Sequence, residues 1–215
     1  MEIIGREREI KELEACYASG EPEFVAVYGR RRIGKTFLIR SVFGNRIDFY
    51  VTGLANASKG ECLRIFADAI HSCFRGEAPV PKDWLSAFSL LRGKLDNMPG
   101  IRRKVLFIDE IPWMDTPRSG FLTALEWFWN GWASGRADIM LVVCGSSSTW
   151  IVDNLLKNRG DLHNRVTRRI QLLPFTLGET ERYLEAREID FGRYRTAEAY
   201  MVFGGVPFYL RFMRG

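Results

Sequence analysis

One run of eight residues restricts this chain more than any other feature. Gly29-Arg30-Arg31-Arg32-Ile33-Gly34-Lys35-Thr36 matches the pattern G-x-x-x-x-G-K-[ST] in full. Before it stands Phe24-Val25-Ala26-Val27-Tyr28, an unbroken apolar segment with β-branched and aromatic residues, which suits a strand buried on both faces. After it, Thr36-Phe37-Leu38-Ile39-Arg40 opens a helix. A strand, loop and helix in this order aim successive backbone N–H groups and the positive end of the helix dipole at one anion. Gly34 lets the backbone approach that anion closely. Lys35 is placed to reach the β- and γ-phosphates of a nucleotide, and the Thr36 hydroxyl to ligate Mg²⁺. Gly29 through Phe37 are the nucleotide-contacting candidates. The three arginines offer a nucleic-acid contact as well, but inside such a loop they fit the electrostatics of a nucleotide site better.

Three further segments complete a site of this kind. Val105-Leu106-Phe107-Ile108 is a buried strand ending in Asp109-Glu110. Acids after a strand are by themselves only a solvated strand end. About 70 residues after the loop, Asp109 is expected to hold Mg²⁺, directly or through water. Glu110, one residue on, is expected to polarise the attacking water as a general base. The strand Ile139 to Cys144, expected beside the loop strand, ends in Gly145-Ser146-Ser147-Ser148. A hydroxyl there can bond the γ-phosphate or the water, with Ser146 the first candidate and Ser147 the second. The competing role is helix capping, to which Ser148 is suited. Arg165, before the last strand, either delivers a guanidinium to a γ-phosphate across a subunit interface or is a surface arginine in a basic cluster.

The rest of the chain supplies a frame for these segments. Its 215 residues are enough for one α/β domain with a substantial core, and 47% hydrophobic and 27% charged residues are ordinary for a soluble protein. Strands are expected at 24–28, 47–51, 105–108, 139–144 and 168–173. Helices are expected at 10–18, 58–74, 84–95, 119–132 and 148–158. Unbroken apolar strands alternating with helices predict a five-stranded parallel sheet covered on both faces, an α/β fold. The aromatic set Trp113, Trp127, Phe128, Trp129 and Trp132 fits core packing better than base stacking, with some members left for a partner. After Pro174 the pattern turns charged and helical, at 177–187 and 197–203. Residues 1–175 therefore read as the core and 176–215 as the beginning of a helical subdomain, which the apolar ending Phe208 to Gly215 predicts to continue further. Four cysteines without a C-x-x-C pair, and two histidines away from them, indicate free buried thiols in a reducing cytosol. A charged amino terminus and the lack of a long apolar run exclude a signal peptide and a membrane span. The net charge of +5 is mild.

On these residues the chain resembles the archaeal-type P-loop ATPases of the AAA+/STAND group. The marks are Ile4-Gly5-Arg6-Glu7, the triple arginine of the loop, Phe107-Ile108-Asp109-Glu110-Ile111-Pro112-Trp113, Cys144-Gly145-Ser146-Ser147, the Arg165 region and Gly204-Gly205-Val206-Pro207-Phe208-Tyr209-Leu210. The resemblance implies ATP and Mg²⁺ as ligands, a helical lid over the nucleotide, and an adenine pocket lined by Ile4, Gly5, Arg6 and Pro207. Family members often continue into a winged-helix or nuclease-like domain, which this sequence does not reach. Asn164-Arg165-Val166-Thr167 also stands where they often show Gly-Arg-Arg-Thr.

The leading expectation is Mg-dependent ATP hydrolysis coupled to a conformational switch, in a cytoplasmic protein that binds ATP and ADP and forms homo-oligomers if Arg165 acts in trans. The alternative is a nucleotide-gated module for DNA or a protein partner with little turnover. Its support is the basic segments Ile101-Arg102-Arg103-Lys104 and 165–169. A small-molecule kinase fits less well, since it rarely needs a Glu directly after the metal-binding Asp.

Overall fold

A computed structural model of the chain describes residues 3–74, 76, 79–98, 102–156 and 165–214. Five strands, β1 (Glu23–Tyr28), β2 (Ile47–Thr52), β3 (Lys104–Asp109), β4 (Ile139–Gly145) and β5 (Arg168–Gln171), form one sheet in the order β2-β3-β4-β1-β5. Every neighbouring pair is parallel. The helices are α1 (Glu7–Ala18), α2 (Lys35–Phe43), α3 (Lys59–Cys73), α4 (Trp84–Asp96), α5 (Phe121–Gly131), α6 (Ser148–Ile151), α7 (Leu177–Glu185), α8 (Gly192–Phe203) and α9 (Pro207–Leu210).

The unbroken apolar strands have a direct cause. Successive side chains point to opposite faces, and each face carries its own core. Val25, Val27, Val105, Phe107, Met140 and Val142 pack on the α1–α2 side with Leu13, Leu38 and Ile39. Phe24, Ala26, Leu106, Ile108, Leu141 and Val143 pack on the other side against α3, α4 and α5, through Phe66, Phe88 and Phe128 among others. The aromatic set divides accordingly: Phe128 and Trp129 are buried, Trp113 and Trp132 are half-buried, and Trp127 is exposed.

Some boundaries differ from expectation, each for a local reason. α5 begins at Phe121, because Gly120 takes a left-handed φ of 76° and the Ser119 hydroxyl accepts from the Phe121 N–H before the helix starts. The helix expected over 148–158 is one α-turn, followed by a wider π-type stretch at Val152–Leu156; residues 157 and 158 lie outside the described residues. Its cap is Ser147, whose side chain accepts from Trp150 N, and Ser148 is already the first helical residue. α8 starts earlier than residue 197, at Gly192, whose N–H is taken by the Asp190 carboxylate. Three cysteines are buried and Cys73 is exposed, so not every thiol is internal as expected; all four are free.

The basic segment before β3 is consumed by the fold. Arg102 grips the buried Asp48 carboxylate, the Arg103 guanidinium donates to Glu21 O and Ser19 Oγ, and Lys104 donates to Asp138 Oδ2 at 2.7 Å. Arg103 and Lys104 are buried, so neither is available to nucleic acid; Ile101 lies outside the described residues. The Asp138 carboxylate also accepts from Arg136 at 2.8 Å. Hydrogen bonds from Arg136, then from Lys104, hold its pKa far below the usual carboxylate range. A depressed folded-state pKa contributes stability above the unfolded value, and that stability is lost as pH falls through the carboxylate range. We therefore expect Asp138→Asn, which leaves the Lys104 ammonium without its counter-charge, to cost about 2 kcal/mol at pH 7. Urea melts at stepped pH should show that gap closing below about pH 4.

Candidate functional site

The strand order brings the predicted segments together. From β1 the chain crosses to β2 at the far edge, while from β4 it crosses over β1 to β5, so the two directions part between β1 and β4. Ligands of open parallel sheets bind at the carboxyl end of such a switch point. The register pairs Tyr28 with Gly145 and Ile108 with Val143. Gly29, Ser146 and the Asp109-Glu110 pair therefore leave the sheet at neighbouring positions along one edge.

Gly29 has a φ of 148°, and a Cβ there would stand 2.2 Å from the Leu172 carbonyl oxygen, so no other residue fits this turn. The loop then enters α2 through Gly34, in the left-handed region at φ 91°. Lys35 is buried, and its Nζ donates to the carbonyls of Gly29 at 3.1 Å and Arg30 at 3.2 Å. Burial pulls its pKa down, opposed by the charges of Glu110 and Asp109. The Thr36 hydroxyl donates to Asp109 Oδ2 at 2.6 Å, and Asp109 Oδ1 accepts from Glu110 N at 2.9 Å. Burial raises the Asp109 pKa, and the bond from Thr36 works against that. An alcohol and a carboxylate, both oxygen donors, are the kind of pair that Mg²⁺ takes with water and substrate phosphates. Among the described residues no cluster of three or more His, Cys, Asp or Glu forms a metal cage. The Thr36 hydroxyl and Asp109 carboxylate, as oxygen donors, fit Mg²⁺ bound together with a nucleotide.

Glu110 stands in a left-handed conformation, φ 47°, that turns its carboxylate towards β4. There Glu110 Oε2 accepts from Ser146 Oγ at 2.8 Å and Ser146 N at 3.2 Å. Of the three serines, Ser146 is thus the one joined to the acid pair, while Ser147 is occupied as a helix cap. Arg165 is elsewhere. Thr167 N bonds Phe24 O, so this segment runs beside the start of β1. At ~3.3 Å per residue, roughly 17 Å separates that level from Gly29. The segment that carries Arg165 thus runs at the amino end of β1, away from the phosphate loop.

Beside the loop lies a cavity of about 640 Å³. Arg32, Ile33, Gly34, Lys35, Thr36, Phe37 and Glu110 line it, together with Ile4, Arg6 and Pro207. Gly5 is buried against the Glu179 side chain, and Arg30 and Arg31 are exposed outside the cavity. Arg6 is buried, donates from Nη2 to Leu173 O at 2.6 Å and lies 4.9 Å over the Phe175 ring. Burial lowers its pKa, with Glu9 and Glu179 opposing. Sequence reasoning missed Ile3, Phe175, Tyr183, Arg187, Phe208 and Arg211, which also line this space. Phe208 and Arg211 follow the Gly-Gly-Val-Pro segment directly, a usable signal. Tyr183 and Arg187 carry none, since only the docking of α7 brings them in.

A close backbone approach lies beside this docking. Phe175 N donates to Gly205 O at 2.8 Å, and a Cβ on Gly205 would stand 2.1 Å from Phe175 O. Val206 and Leu210 next to it are fully buried.

A phosphate loop, an Asp-Glu pair across one intervening strand and a parallel sheet of this order define a P-loop ATPase-type nucleotide-binding domain. The comparisons with known proteins agree, and the chain belongs to the family of ATPase domains found predominantly in Archaea, whose model matches residues 3–212. It is similar to an uncharacterized protein of Methanocaldococcus jannaschii, 24% identical over 97% of this chain but only 43% of that one. The chain thus spans less than half of that relative. In structure it is similar to the Walker-type ATPase of Pyrococcus abyssi, at TM-score 0.68 and 17% identity, over 97% of this chain and 65% of that one. A second likeness is to a Signal Transduction ATPase with Numerous Domains (STAND) protein with a tetratricopeptide repeat sensor from Pyrococcus horikoshii. It gives TM-score 0.60 and 15% identity, over 98% of this chain and 29% of that one. No helix among the described residues is long and apolar enough to cross a membrane.

Gly205→Ala should cost about 2 kcal/mol and lower the melting temperature by roughly 4–8 °C in differential scanning calorimetry, because the added methyl forces the turn off Phe175.

Proposed function

We propose that this domain binds Mg·ATP in the cavity between the phosphate loop and α7–α9 and hydrolyses it, and that γ-phosphate status is passed to residues 176–215, acting as a lid. The observation that carries this reading is the joining of Thr36 to Asp109, and of Ser146 to Glu110, along one edge of the sheet. The base end of the nucleotide goes to Ile4, Arg6 and Pro207, and the phosphates go to the loop. Lys35 exchanges two neutral carbonyl acceptors for a charged phosphate oxygen, a stronger partner. Thr36 and Asp109 would hold Mg²⁺, which would supply charge neutralisation for the phosphate oxygens. Glu110 takes a proton from the attacking water. The water oxygen bonds to the γ-phosphorus as the bond to the bridging oxygen breaks, releasing ADP and inorganic phosphate. Ser146, bonded to the same carboxylate, orients it.

A slowly turning monomer that serves as a nucleotide-held switch is the second reading. The placement of Arg165 away from its own loop favours it, because a stabilising arginine would then have to come from another copy. Residues 165–169 remain as basic surface for a DNA or protein partner.

Phosphate release from Mg·ATP, with and without duplex DNA, tests both. Lys35→Ala should weaken ATP binding by about 10- to 100-fold, and unchanged affinity would remove the loop assignment. Glu110→Gln should slow release at least ~100-fold; release at the wild-type rate would show that Glu110 is not the base. Arg165→Ala mixed with Lys35→Ala should regain activity if the arginine acts in trans, and no regain would leave it structural or acting in cis. Tight binding without release under all conditions would favour the second reading.

A further inference from the structure

The three loop arginines are chemically alike, but the fold uses them differently. All three are exposed, but Arg30 and Arg31 stand outside the cavity, while Arg32 lines it. Arg32 has a φ of 71°, an uncommon conformation for a residue with a side chain. That conformation goes with a long-range contact. The Arg32 guanidinium lies 4.3 Å from the Phe208 ring centroid and 5.6 Å from that of Tyr209. Its Nη1 also donates to the Tyr209 hydroxyl at 3.3 Å. Phe208 and Tyr209 belong to α9, 176 positions or more along the chain from Arg32 and anchored in the core by Val206 and Leu210.

The contact does not stop at α9. The Arg211 guanidinium sits 4.2 Å from the same Phe208 ring, and the Arg211 carbonyl accepts from Arg187 Nη2 at 3.0 Å, just beyond α7. Arg187 Nη1 in turn reaches the Tyr183 hydroxyl within α7 at 3.5 Å. None of Arg32, Arg187 and Arg211 forms an ion pair with a carboxylate among the described residues. Two guanidiniums thus share one ring beside the cavity without a counter-charge. A polyanion in the loop alters the field at Arg32 first. α9 is anchored, so these contacts tie Arg32 to a fixed element and, through it, to Arg211 and Arg187.

We propose that Arg32 is a positioning residue that couples the phosphate loop to α7–α9, through its seat on Phe208 and Tyr209. The inference rests on the switch reading above and names the contact that transmits it. Arg32→Asn removes the side chain while keeping a residue that tolerates the left-handed backbone. Phe208→Leu removes the seat from the α9 side and leaves the loop sequence intact.

Hydrogen exchange followed by mass spectrometry, with and without saturating Mg·ATP, reads loop amides 29–36 and amides 177–214 separately. In the wild type, nucleotide should slow exchange in both regions, about tenfold in 177–214. With Mg·ATP raised for each variant until its loop amides are fully protected, the response of 177–214 should fall to within about twofold in Arg32→Asn and in Phe208→Leu. Arg32→Lys, which keeps the charge without the planar stack, should fall between. If Arg32→Asn no longer binds nucleotide, Phe208→Leu decides alone. A full response of 177–214 in a variant whose loop is protected would overturn the coupling role and leave the switch standing. A wild type with a protected loop and an unresponsive 177–214 would overturn both, with the nucleotide site intact.

Discussion

Main-chain pairing of β4 with β1 on one side and β3 on the other sets the spacing of the whole site. Strands lie about 4.8 Å apart, so the phosphate-loop strand and the acid-bearing strand are held roughly 10 Å from each other with β4 between them. At that separation Thr36, on the first turn of α2, reaches the Asp109 carboxylate. The intervening strand meanwhile delivers Ser146 to Glu110. Neither contact would form if β1 and β3 were direct neighbours or lay one strand further apart. The ladder in turn depends on apolar cover over both faces, which the two separate cores provide.

The two ends of the sheet solve opposite electrostatic problems. At the amino ends, Arg102 pairs with the buried Asp48 and Lys104 with Asp138, while the buried Arg103 donates to carbonyls and a hydroxyl. At the carboxyl ends, charge is left partly uncompensated. Asp109 is buried with its pKa raised, Lys35 is held only by carbonyls, and Arg32 and Arg211 rest on an aromatic ring. Buried groups lacking full compensation are costly to the apo fold, and they concentrate where a charged ligand would complete them. α7–α9 close this end through Phe175, Gly205 and the stacked arginines. The cavity is therefore bounded by the same contacts that tie these helices down.

Much of the sheet and of the phosphate end of the site was legible in the sequence. Strands buried on both faces write themselves as unbroken apolar runs, as in β1, β3 and β4. A loop that must turn at Gly29 and approach an anion at Gly34 admits few residue types. Helix ends were less legible, because Ser147 and Ser148, or Ser119 and Gly120, are equally good local stops. Only backbone geometry chooses between them. The far wall of the cavity was least legible: Tyr183 on α7 and Arg187 just beyond it are ordinary surface-type residues until α7 is docked.

The sequence by itself determined the chemistry available: one phosphate-binding loop, one acid pair after a strand, hydroxyls after another, and enough apolar surface to bury a parallel sheet. These follow from local constraints, namely dihedral freedom, residue type and periodicity. Tertiary structure alone decided which groups meet. It chose Ser146 over its neighbours, carried Arg165 to the opposite end of the sheet, buried Arg103 and Lys104, and separated Arg32 from the two arginines before it. The physical reason is that strand order and helix docking are set by non-local burial, and no short segment of the chain records where its distant partners will lie.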